Sequence, residues 1–420
     1  MLEMARRARQ AAQHLNRMES NQKNAVLSDL ADLLLKRCPE ILQANLQDME
    51  QAEQAGLTAA MIKRLSLDER KVAAMAEGLR ALVQLEDPVG QVESSWLRPN
   101  GLEIKRVRVP FGVIGIIYES RPNVTIDAGA LCLKAGSASL LRGGKEAVHS
   151  NRCLTALFRE ALRRNGFPED AVQLVVDPDR SLLQQMLKMH GQIDLLIPRG
   201  GSGLIQHVVE HSTVPVVETG VGNCHVYLDA DADHQKAVAI AINAKISNPA
   251  VCNAAETLLV HRQIAPAILT DLVAALLDRG VELRMCRDSL SILEEQGLAD
   301  HEKIKPATEE DWSEEYLDLI YAVKIVDDLD EAIAHIQTFG TGHSEAIVTE
   351  NYSSARRFTR EVDAAAVYVN ASTRFTDGFE FGYGAEIGIS TQKLHTRGPM
   401  GLRELTTIKN IVYGDGQVRI

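Results

Sequence analysis

The chain has 420 residues, of which 45% are apolar, 24% charged and only 4% aromatic, and its formal charge is −12. This length predicts two domains, and the acidic, aromatic-poor balance excludes a nucleic-acid groove, which needs a basic face and stacking side chains. Six cysteines show no metal-ligand spacing, and no apolar stretch is long enough to span a membrane, so a soluble, metal-free protein of the reducing cytoplasm is expected.

The first 88 residues or so are predicted to be helical. Val26, Leu30, Leu33 and Leu34 recur at helical spacing, and "EDPVG" ends the pattern. The next segment, "SWLRPNGLEIKRVRVP", has two alternating stretches around a Pro-Asn-Gly turn, which predicts a hairpin at about residues 92–110. Because so exposed a hairpin often pairs with another subunit, it also predicts a homo-oligomer.

From Phe111 onward, short apolar runs alternate with helical segments that end at glycine or a turn. The predicted buried strands are "GVIGIIY", "SASLLRG", "AVQLVVD", "IDLLIP" and "VPVVE". This alternation predicts a doubly wound parallel sheet. A second series of the same kind starts near residue 225, and the last residues, "TTIKNIVYGDGQVRI", predict an edge strand. The predicted organisation is one domain over 1–222, a second over 223–400 and a C-terminal strand over 401–420.

A glycine turn in the first domain is a candidate phosphate site. "PRGGSG" lies between a predicted strand and a predicted helix, where free N–H groups at the helix N-terminus bind phosphate. Gly200, Gly201 and Ser202 would then contact a nucleotide. The segment differs from G-x-G-x-x-G, so an ordinary tight turn is the alternative.

A second turn, "LRGGKEA", indicates which dinucleotide would bind. Arg142 and Lys145 flank a glycine pair at the end of a strand, where the ribose of a dinucleotide would lie. An acidic residue there accepts the 2′-hydroxyl of NAD, whereas cations favour the 2′-phosphate of NADP. The predicted cofactor is therefore NADPH/NADP; a solvated helix start is the alternative.

Cys252, in "NPAVCNAAE", is the candidate nucleophile. It follows a loop and precedes a segment with a short helical pattern, which predicts a thiol near a helix N-terminus, where the thiolate is favoured. Most isolated cysteines are simply buried, and the residues alone leave both interpretations open.

Five segments together resemble the aldehyde dehydrogenase superfamily: "VPFGVIGIIYESRPNVT", "LLRGGKEA", "VETGVGN", "NPAVCNAAETLLVH" and "VNASTRFTDGFEFGYGAEIGIST". "HIQTFGTGHSEAIVTENYSSARRF" is especially similar to the branch that reduces L-glutamyl 5-phosphate to L-glutamate 5-semialdehyde in proline biosynthesis. The resemblance covers nearly the whole chain. It implies an α/β, aldehyde-dehydrogenase-like fold: an NADP-binding domain over 1–222, a catalytic domain over 223–400, and an oligomerisation hairpin and C-terminal strand.

The resemblance also implies a mechanism. Cys252 matches the superfamily nucleophile, which would expel phosphate, form a thioester and be freed after hydride transfer from NADPH. The oxyanion would be bound by the backbone N–H of Cys252 and by an asparagine. In "ESRPN" that place falls on Arg121 without a gap and on Asn123 after a small shift, and we favour Asn123.

Further roles follow from the same resemblance. Glu218 matches the glutamate with which oxidising members activate water; since an acyl-phosphate reductase must not hydrolyse its thioester, both a catalytic and a structural role stay open. Glu315 falls where the superfamily has a glutamate on the nicotinamide ribose, although the flanking motif is missing. Gly200, Gly201 and Ser202 match the Gly-Ser turn at the cofactor phosphates.

The substrate carries an α-carboxylate, which an arginine fork binds well. Arg374, in "NASTRFTDG", falls where relatives line the substrate mouth, and Arg121 is the other candidate. A surface ion pair is the alternative for either arginine. His343 is expected to stabilise its loop by hydrogen bonding.

Two rival functions and one partner complete the expectations. A hydrolytic semialdehyde dehydrogenase of the same superfamily would use Glu218 as its base. A non-catalytic oligomeric scaffold would have an unreactive Cys252 and bind no nucleotide. A transient contact with glutamate 5-kinase is predicted because the acyl phosphate is labile, and neither a nucleic-acid nor a membrane partner is expected.

Overall fold

The computed structural model describes residues 1–419 and divides the chain into two units. Unit 1 comprises Met1–Thr219, Gly382–Gly388 and the C-terminal segment from Pro399; unit 2 comprises Gly220–Phe381 and Ile389–Gly398. Ile420, the last residue of the predicted C-terminal strand, lies outside the described residues. Within the described part of the chain, no helix is long and apolar enough to cross a bilayer.

Unit 1 combines a helical N-terminus with two sheets. Its helices are α1 (Leu2–Leu15), α2 (Ser20–Lys36), α3 (Cys38–Gln54), α4 (Ala59–Leu65), α5 (Glu69–Gln84), α6 (Asn123–Lys134), α7 (Val148–Arg164), α8 (Arg180–Leu187) and α9 (Ser202–His211). Its strands are β1 (Val92–Leu97), β2 (Glu103–Pro110), β3 (Val113–Tyr118), β4 (Ala138–Arg142), β5 (Val172–Leu174), β6 (Leu195–Arg199) and β16 (Thr406–Tyr413).

The central sheet of unit 1 is parallel, with the order β5-β4-β3-β6. Every side chain of β3 is buried, as its unbroken apolar run predicts. Because β4 and β6 flank β3 on opposite sides, the strand order reverses between β3 and β6. Ligands of doubly wound sheets bind at the carboxyl ends of the strands beside such a switch point.

The predicted hairpin is present as the antiparallel pair of β1 and β2, with Gly101 in the left-handed conformation at its turn. β16 pairs with the other side of β2, which gives a three-stranded antiparallel sheet. All six residues of β1 are exposed. This sheet therefore lies outside the core of unit 1.

Unit 2 is a second α/β structure. Its helices are α10 (His234–Ile246), α11 (Ala265–Leu277), α12 (Arg287–Glu295), α13 (Leu329–Phe339) and α14 (Tyr352–Glu361). Its strands are β7 (Cys224–Leu228), β8 (Ala255–His261), β9 (Glu282–Met285), β10 (Ile304–Pro306), β11 (Ile320–Val326), β12 (Ser344–Val348) and β13 (Ala366–Val369), and the short β14 (Ile389–Ser390) and β15 (Gly398–Pro399) pair with each other. The seven strands from β7 to β13 form a parallel sheet in the order β10-β9-β11-β8-β7-β12-β13. The predicted fold class is thus confirmed.

One predicted strand is wrong. "VPVVE" contributes only an isolated bridge between Val216 and Leu196. Its neighbour Pro215 offers no N–H for a ladder, and the segment continues as irregular loop. This loop leads to the residue at which unit 1 passes into unit 2.

A buried ion pair stabilises unit 2 close to Cys252. Lys245, at the end of α10, lies 2.5 Å from Glu256 of β8, and both side chains are fully buried. Burial raises the pKa of Glu256 to about 8 and lowers the pKa of Lys245. The Lys245 ammonium also lies over the rings of Tyr316 and Tyr321, at 5.9 and 5.8 Å, and Glu256 accepts the N–H of Leu317 at 3.4 Å. The pair thus holds the loop that carries Glu315.

We expect Lys245→Met to lower the free energy of unfolding by about 1–3 kcal/mol at neutral pH, because it leaves the buried carboxyl of Glu256, which is protonated below its raised pKa of about 8, without its hydrogen-bond partner. Above about pH 8 this carboxyl has to ionise with no cation beside it, so the deficit grows as the pH rises above about 8. Urea unfolding at several pH values measures both effects. Lys236→Met, which breaks the exposed pair of Lys236 with Glu350, should leave stability unchanged; a deficit independent of pH would contradict the assignment.

Candidate active site

In unit 1, the switch point brings a carboxylate to the predicted phosphate turn. Glu119 follows β3, and its Oε2 accepts the N–H of Gly201 at 2.9 Å, one residue before α9 begins. A Cβ built on Gly200 would lie 2.4 Å from the same oxygen. Glycine at position 200 thus leaves room for the Glu119 carboxylate, and the helix N-terminus binds an anionic group in the way the sequence predicts for phosphate. Sequence reasoning missed Glu119, whose only signal is its place directly after a buried strand.

The turn after β4 is held to the end of β3. Glu146 accepts hydrogen bonds from the N–H and the hydroxyl of Ser120, at 2.7 and 2.6 Å, and Ser120 has the uncommon φ of 33°. Lys145 is exposed at this turn. Arg142 donates through Nη2 to the carbonyls of Pro178 and Asp179, at 3.1 and 3.2 Å. Lys145 thus projects to solvent, whereas Arg142 holds the loop after β5.

The two candidates for the oxyanion site flank the start of α6. Asn123 is the first residue of the helix, and its Nδ2 donates to Oδ2 of Asp127, one turn further on, at 2.9 Å. Burial raises the pKa of Asp127 to about 6, and the hydrogen bond from Asn123 acts in the opposite direction. Arg121 lies two residues earlier and is half-buried. The amide of Asn123 is thus oriented by a carboxyl group of its own helix.

In unit 2, Cys252 lies in a turn three residues before β8. The predicted helix after Cys252 is wrong, because the residues from Ala255 enter the buried strand β8. The thiol residue is half-buried rather than enclosed in the core. Because β7, β8 and β12 are parallel neighbours, their first residues meet at one edge of the sheet, and Cys252 lies at this amino edge.

The backbone of Cys252 is in very close contact with Gly222. A Cβ built on Gly222 would lie 1.6 Å from the carbonyl oxygen of Cys252 and 2.6 Å from its Cα. The N–H of Gly222 donates to Oε1 of Glu315 at 2.7 Å. Glu315 therefore holds the loop that packs against the candidate nucleophile, a contact that differs in kind from the ribose contact expected from the sequence.

Hydrogen bonds hold the same backbone from two further directions. The thiol of Cys224, the first residue of β7, donates to the carbonyl of Cys252 at 3.2 Å. Asn253 donates through Nδ2 to the carbonyl of Thr376 at 2.9 Å, and its own carbonyl accepts the hydroxyl of Thr373 at 2.7 Å. The loop of residues 373–376 is thus bound directly to the residue after Cys252.

Arg374 belongs to this loop and lies near Cys252. Its Nε donates to Oγ of Ser247 at 2.9 Å. Burial lowers the pKa of Arg374, while the charges of Asp377 and Cys252 act in the opposite direction. Unit 2 therefore brings together the candidate nucleophile and one of the two candidate carboxylate ligands.

The remaining candidate, Glu218, is half-buried in the last loop of unit 1. The next residue, Thr219, donates to the carbonyl of Pro198 at 3.0 Å, which fixes this loop to β6. Unit 1 thus carries the cofactor candidates other than Glu315, together with Arg121, Asn123 and Glu218. Among residues 1–419, no group of three His, Cys, Asp or Glu side chains is placed to hold a metal ion.

Sequence reasoning missed the residues that fix the backbone around Cys252. Gly222, Cys224, Thr373 and Thr376 have no catalytic signature of their own. The signal available was their position: "GVGN" and "NASTRFT" lie inside segments that carry the family resemblance, and Cys224 directly follows the first of them.

Comparison with known proteins identifies the relatives of the chain. A family model described as the aldehyde dehydrogenase family matches residues 1–285 and 307–411. The gamma-glutamyl phosphate reductase of Carboxydothermus hydrogenoformans is 57% identical over 419 residues, covering 100% of this chain and 99% of the relative. That of Heliobacterium modesticaldum is 57% identical over 414 residues, covering 99% and 97%. The solved structure of gamma-glutamyl phosphate reductase from Thermotoga maritima is 50% identical, with a TM-score of 0.95, and the match covers 100% of this chain and 99% of that one.

The contact between Gly222 and Cys252 predicts a severe effect of a single methyl group. Gly222→Ala places a Cβ inside the contact distance of the Cys252 carbonyl, so the turn must move, and a displacement of about 1 Å can reduce a reaction rate about 100-fold. The rate at which iodoacetamide alkylates Cys252, measured by peptide mass spectrometry, should therefore differ from the rate in the native protein. Gly78→Ala, which meets nothing within 4 Å, should not change it. Equal rates in both variants would contradict the packing.

Proposed function

Because the chain belongs to the aldehyde dehydrogenase family, and within it to the gamma-glutamyl phosphate reductases of proline biosynthesis, we propose that it reduces L-glutamyl 5-phosphate with NADPH through a thioester on Cys252. The reaction class, an oxidoreductase acting on an aldehyde or oxo group, follows from the family. The cofactor specificity and the residue roles are the proposal.

The observation that carries the proposal is the fixation of Cys252. Three backbone contacts, from Gly222, Cys224 and the 373–376 loop, hold a half-buried thiol in a turn. An inert structural cysteine needs burial and no such support. A nucleophile that must form and release a covalent intermediate benefits from a fixed backbone, because attack requires near-attack distances and alignment.

Cys252 supplies the covalent chemistry. Its thiolate attacks the acyl carbon of L-glutamyl 5-phosphate, the C–O bond to phosphate breaks, and the thioester and inorganic phosphate are formed. When bound, the nicotinamide cofactor supplies the hydride that converts the thioester to the oxidation level of the aldehyde. The resulting thiohemiacetal breaks its C–S bond, which releases L-glutamate 5-semialdehyde and restores the thiolate.

Negative charge develops on the acyl oxygen in both halves of the reaction, so fixed donors are needed. We assign this role to the backbone N–H of Cys252 and the amide of Asn123. The Asn123 side chain is oriented by Asp127, which supports a preorganised donor. Arg121 remains the alternative for this position and the second candidate for the substrate carboxylate.

The glycine turn of unit 1 fits a phosphate-bearing cofactor. Gly200, Gly201 and Ser202 present a helix N-terminus that accommodates an oxygen anion at the Gly201 N–H, as the contact with Glu119 demonstrates. Exchange of that carboxylate for a cofactor phosphate requires Glu119 to move. Lys145 is exposed at the turn after β4, where a cation favours the 2′-phosphate of NADP, and this supports NADPH.

Glu315 and Arg142 support the cofactor site in a different way from the one the sequence indicated. Glu315 accepts a hydrogen bond from Gly222. We therefore assign it two roles: it holds the loop that packs against Cys252, and it contacts the ribose as predicted. Arg142 has hydrogen bonds to the backbone of the loop after β5, and its charge lies at the same turn as Lys145. Arg374, close to Cys252, is our choice for the α-carboxylate of the substrate.

The hydrolytic rival depends on Glu218, and phosphate dependence separates it from the reductase. A non-catalytic scaffold would not require the backbone contacts around Cys252. Assembly into a homo-oligomer through the β1–β2 hairpin and β16, residence in the cytoplasm, and a transient contact with glutamate 5-kinase stay predictions.

The central test runs the reaction in reverse. Purified protein should form NADPH from L-glutamate 5-semialdehyde and NADP⁺ only when inorganic phosphate is present, because phosphate must take the acyl group from the thioester. Cys252→Ala should lower this rate by more than about 1,000-fold. The matched control is Cys132→Ala, which removes a fully buried thiol of α6. Turnover without phosphate that is lost in Glu218→Gln would show the hydrolytic enzyme instead.

Cofactor choice is tested at Lys145. We expect Lys145→Gln to raise the KM for NADP⁺ about tenfold while leaving the KM for NAD⁺ unchanged, since a charge-assisted hydrogen bond to the 2′-phosphate contributes about 1.5–3 kcal/mol. Steady-state kinetics with both cofactors measures the difference. An equal rise for NAD⁺ would assign Lys145 a general electrostatic role and remove it from the 2′-phosphate site.

A further inference from the structure

The contact of Cys224 with the carbonyl of Cys252 is the first link of a longer buried polar network. Its members are Cys224, His343, Ser344, Thr376 and Tyr368, which extend from the carbonyl of Cys252 to β13. The side chains of the first four have 0% exposure to solvent. Burying a polar group without a hydrogen-bond partner costs free energy of folding, so a network at a position closed to solvent requires an explanation.

The distances define an unbroken chain of hydrogen bonds. Cys224 Sγ lies 3.2 Å from the carbonyl oxygen of Cys252 and 3.7 Å from Nδ1 of His343. Nδ1 lies 2.8 Å from Oγ of Ser344, which lies 2.6 Å from Oγ1 of Thr376. Thr376 Oγ1 lies 2.7 Å from the hydroxyl of Tyr368.

The chemistry of these groups sets the direction of the chain. A carbonyl oxygen only accepts, so the single proton of the Cys224 thiol points to Cys252, and the sulfur offers lone pairs to His343. His343 then carries its proton on Nδ1 and donates towards the thiol and Ser344. The hydroxyls of Ser344 and Thr376 share the next hydrogen bond, and those of Thr376 and Tyr368 share the last. Burial raises the pKa of Cys224 well above its usual value and that of Tyr368 to about 12, so both groups keep their protons.

We propose that Cys224 is a positioning residue for the nucleophile: its thiol holds the Cys252 carbonyl, and the His343–Ser344–Thr376–Tyr368 chain keeps that thiol pointed at it. This inference rests on the proposed role of Cys252. Thr376 also belongs to the loop whose carbonyl accepts the Asn253 amide, so the network joins both sides of the Cys252 turn. Cys224 itself does not attack substrate, because it is enclosed and protonated.

The test compares Cys224→Ala, which removes the donor, with Cys224→Ser, which keeps an O–H donor in its place. Turnover is measured in the reverse direction with L-glutamate 5-semialdehyde, NADP⁺ and phosphate. We expect Cys224→Ala to lower kcat about 10- to 100-fold with the KM values within twofold of native, because loss of alignment affects attack more than binding. Cys224→Ser should recover kcat to within about threefold of native. Cys132→Ala, the control for loss of a buried thiol, should match the native enzyme.

Three results would overturn the proposal: a native kcat in Cys224→Ala, an equal loss in the serine variant, or a loss confined to KM. If Cys224→Ala is not recovered as folded protein, Cys224→Ser decides alone: a kcat within threefold of native supports the hydrogen bond, and a loss of tenfold or more contradicts it. Failure of the underlying function has a different signature, since the native protein would then show no phosphate-dependent turnover in the same assay.

Discussion

The contact between Gly222 and the carbonyl of Cys252 is the constraint on which the catalytic unit depends. It admits no side chain at position 222, and it joins the loop that enters unit 2 to the turn that carries the thiol. Glu315 holds one side of the contact and Cys224 the other. Through Lys245 and Glu256, the buried charges of the sheet stabilise the loop of Glu315. The position of the candidate nucleophile therefore depends on packing that does not involve its thiol.

The two units use opposite ends of their parallel strands. In unit 1 the cofactor candidates Lys145 and Gly201 follow the carboxyl ends of β4 and β6, where a doubly wound sheet binds ligands and helix N-termini supply positive potential. In unit 2, Cys252 lies at the amino edge of β8, beside the first residues of β7 and β12. There, hydrogen bonds from side chains and neighbouring segments fix the turn.

Buried polar groups are concentrated near the amino edge of unit 2. The network from Cys224 to Tyr368 and the pair of Lys245 and Glu256 are enclosed by the same sheet. Such groups are costly to bury and are often no better for stability than apolar residues of the same size. Next to the candidate nucleophile, such groups can orient the Cys252 turn, because hydrogen bonds are directional and apolar packing is not.

The sequence by itself determined the class of the fold, the alternation of strands and helices, the hairpin and the glycine turn, because each depends on local periodicity or turn chemistry, and a motif made Cys252 the candidate nucleophile. It was wrong where a local pattern competes with tertiary pairing: "NAAE" after Cys252 has helical propensity, but β8 completes a ladder with β7 and β11. Only the tertiary structure decided that Glu119 contacts Gly201, that Glu315 holds Gly222 and that Cys224 holds Cys252. These residues are 28 to 93 positions apart, and strand order, which no local pattern encodes, brings them together.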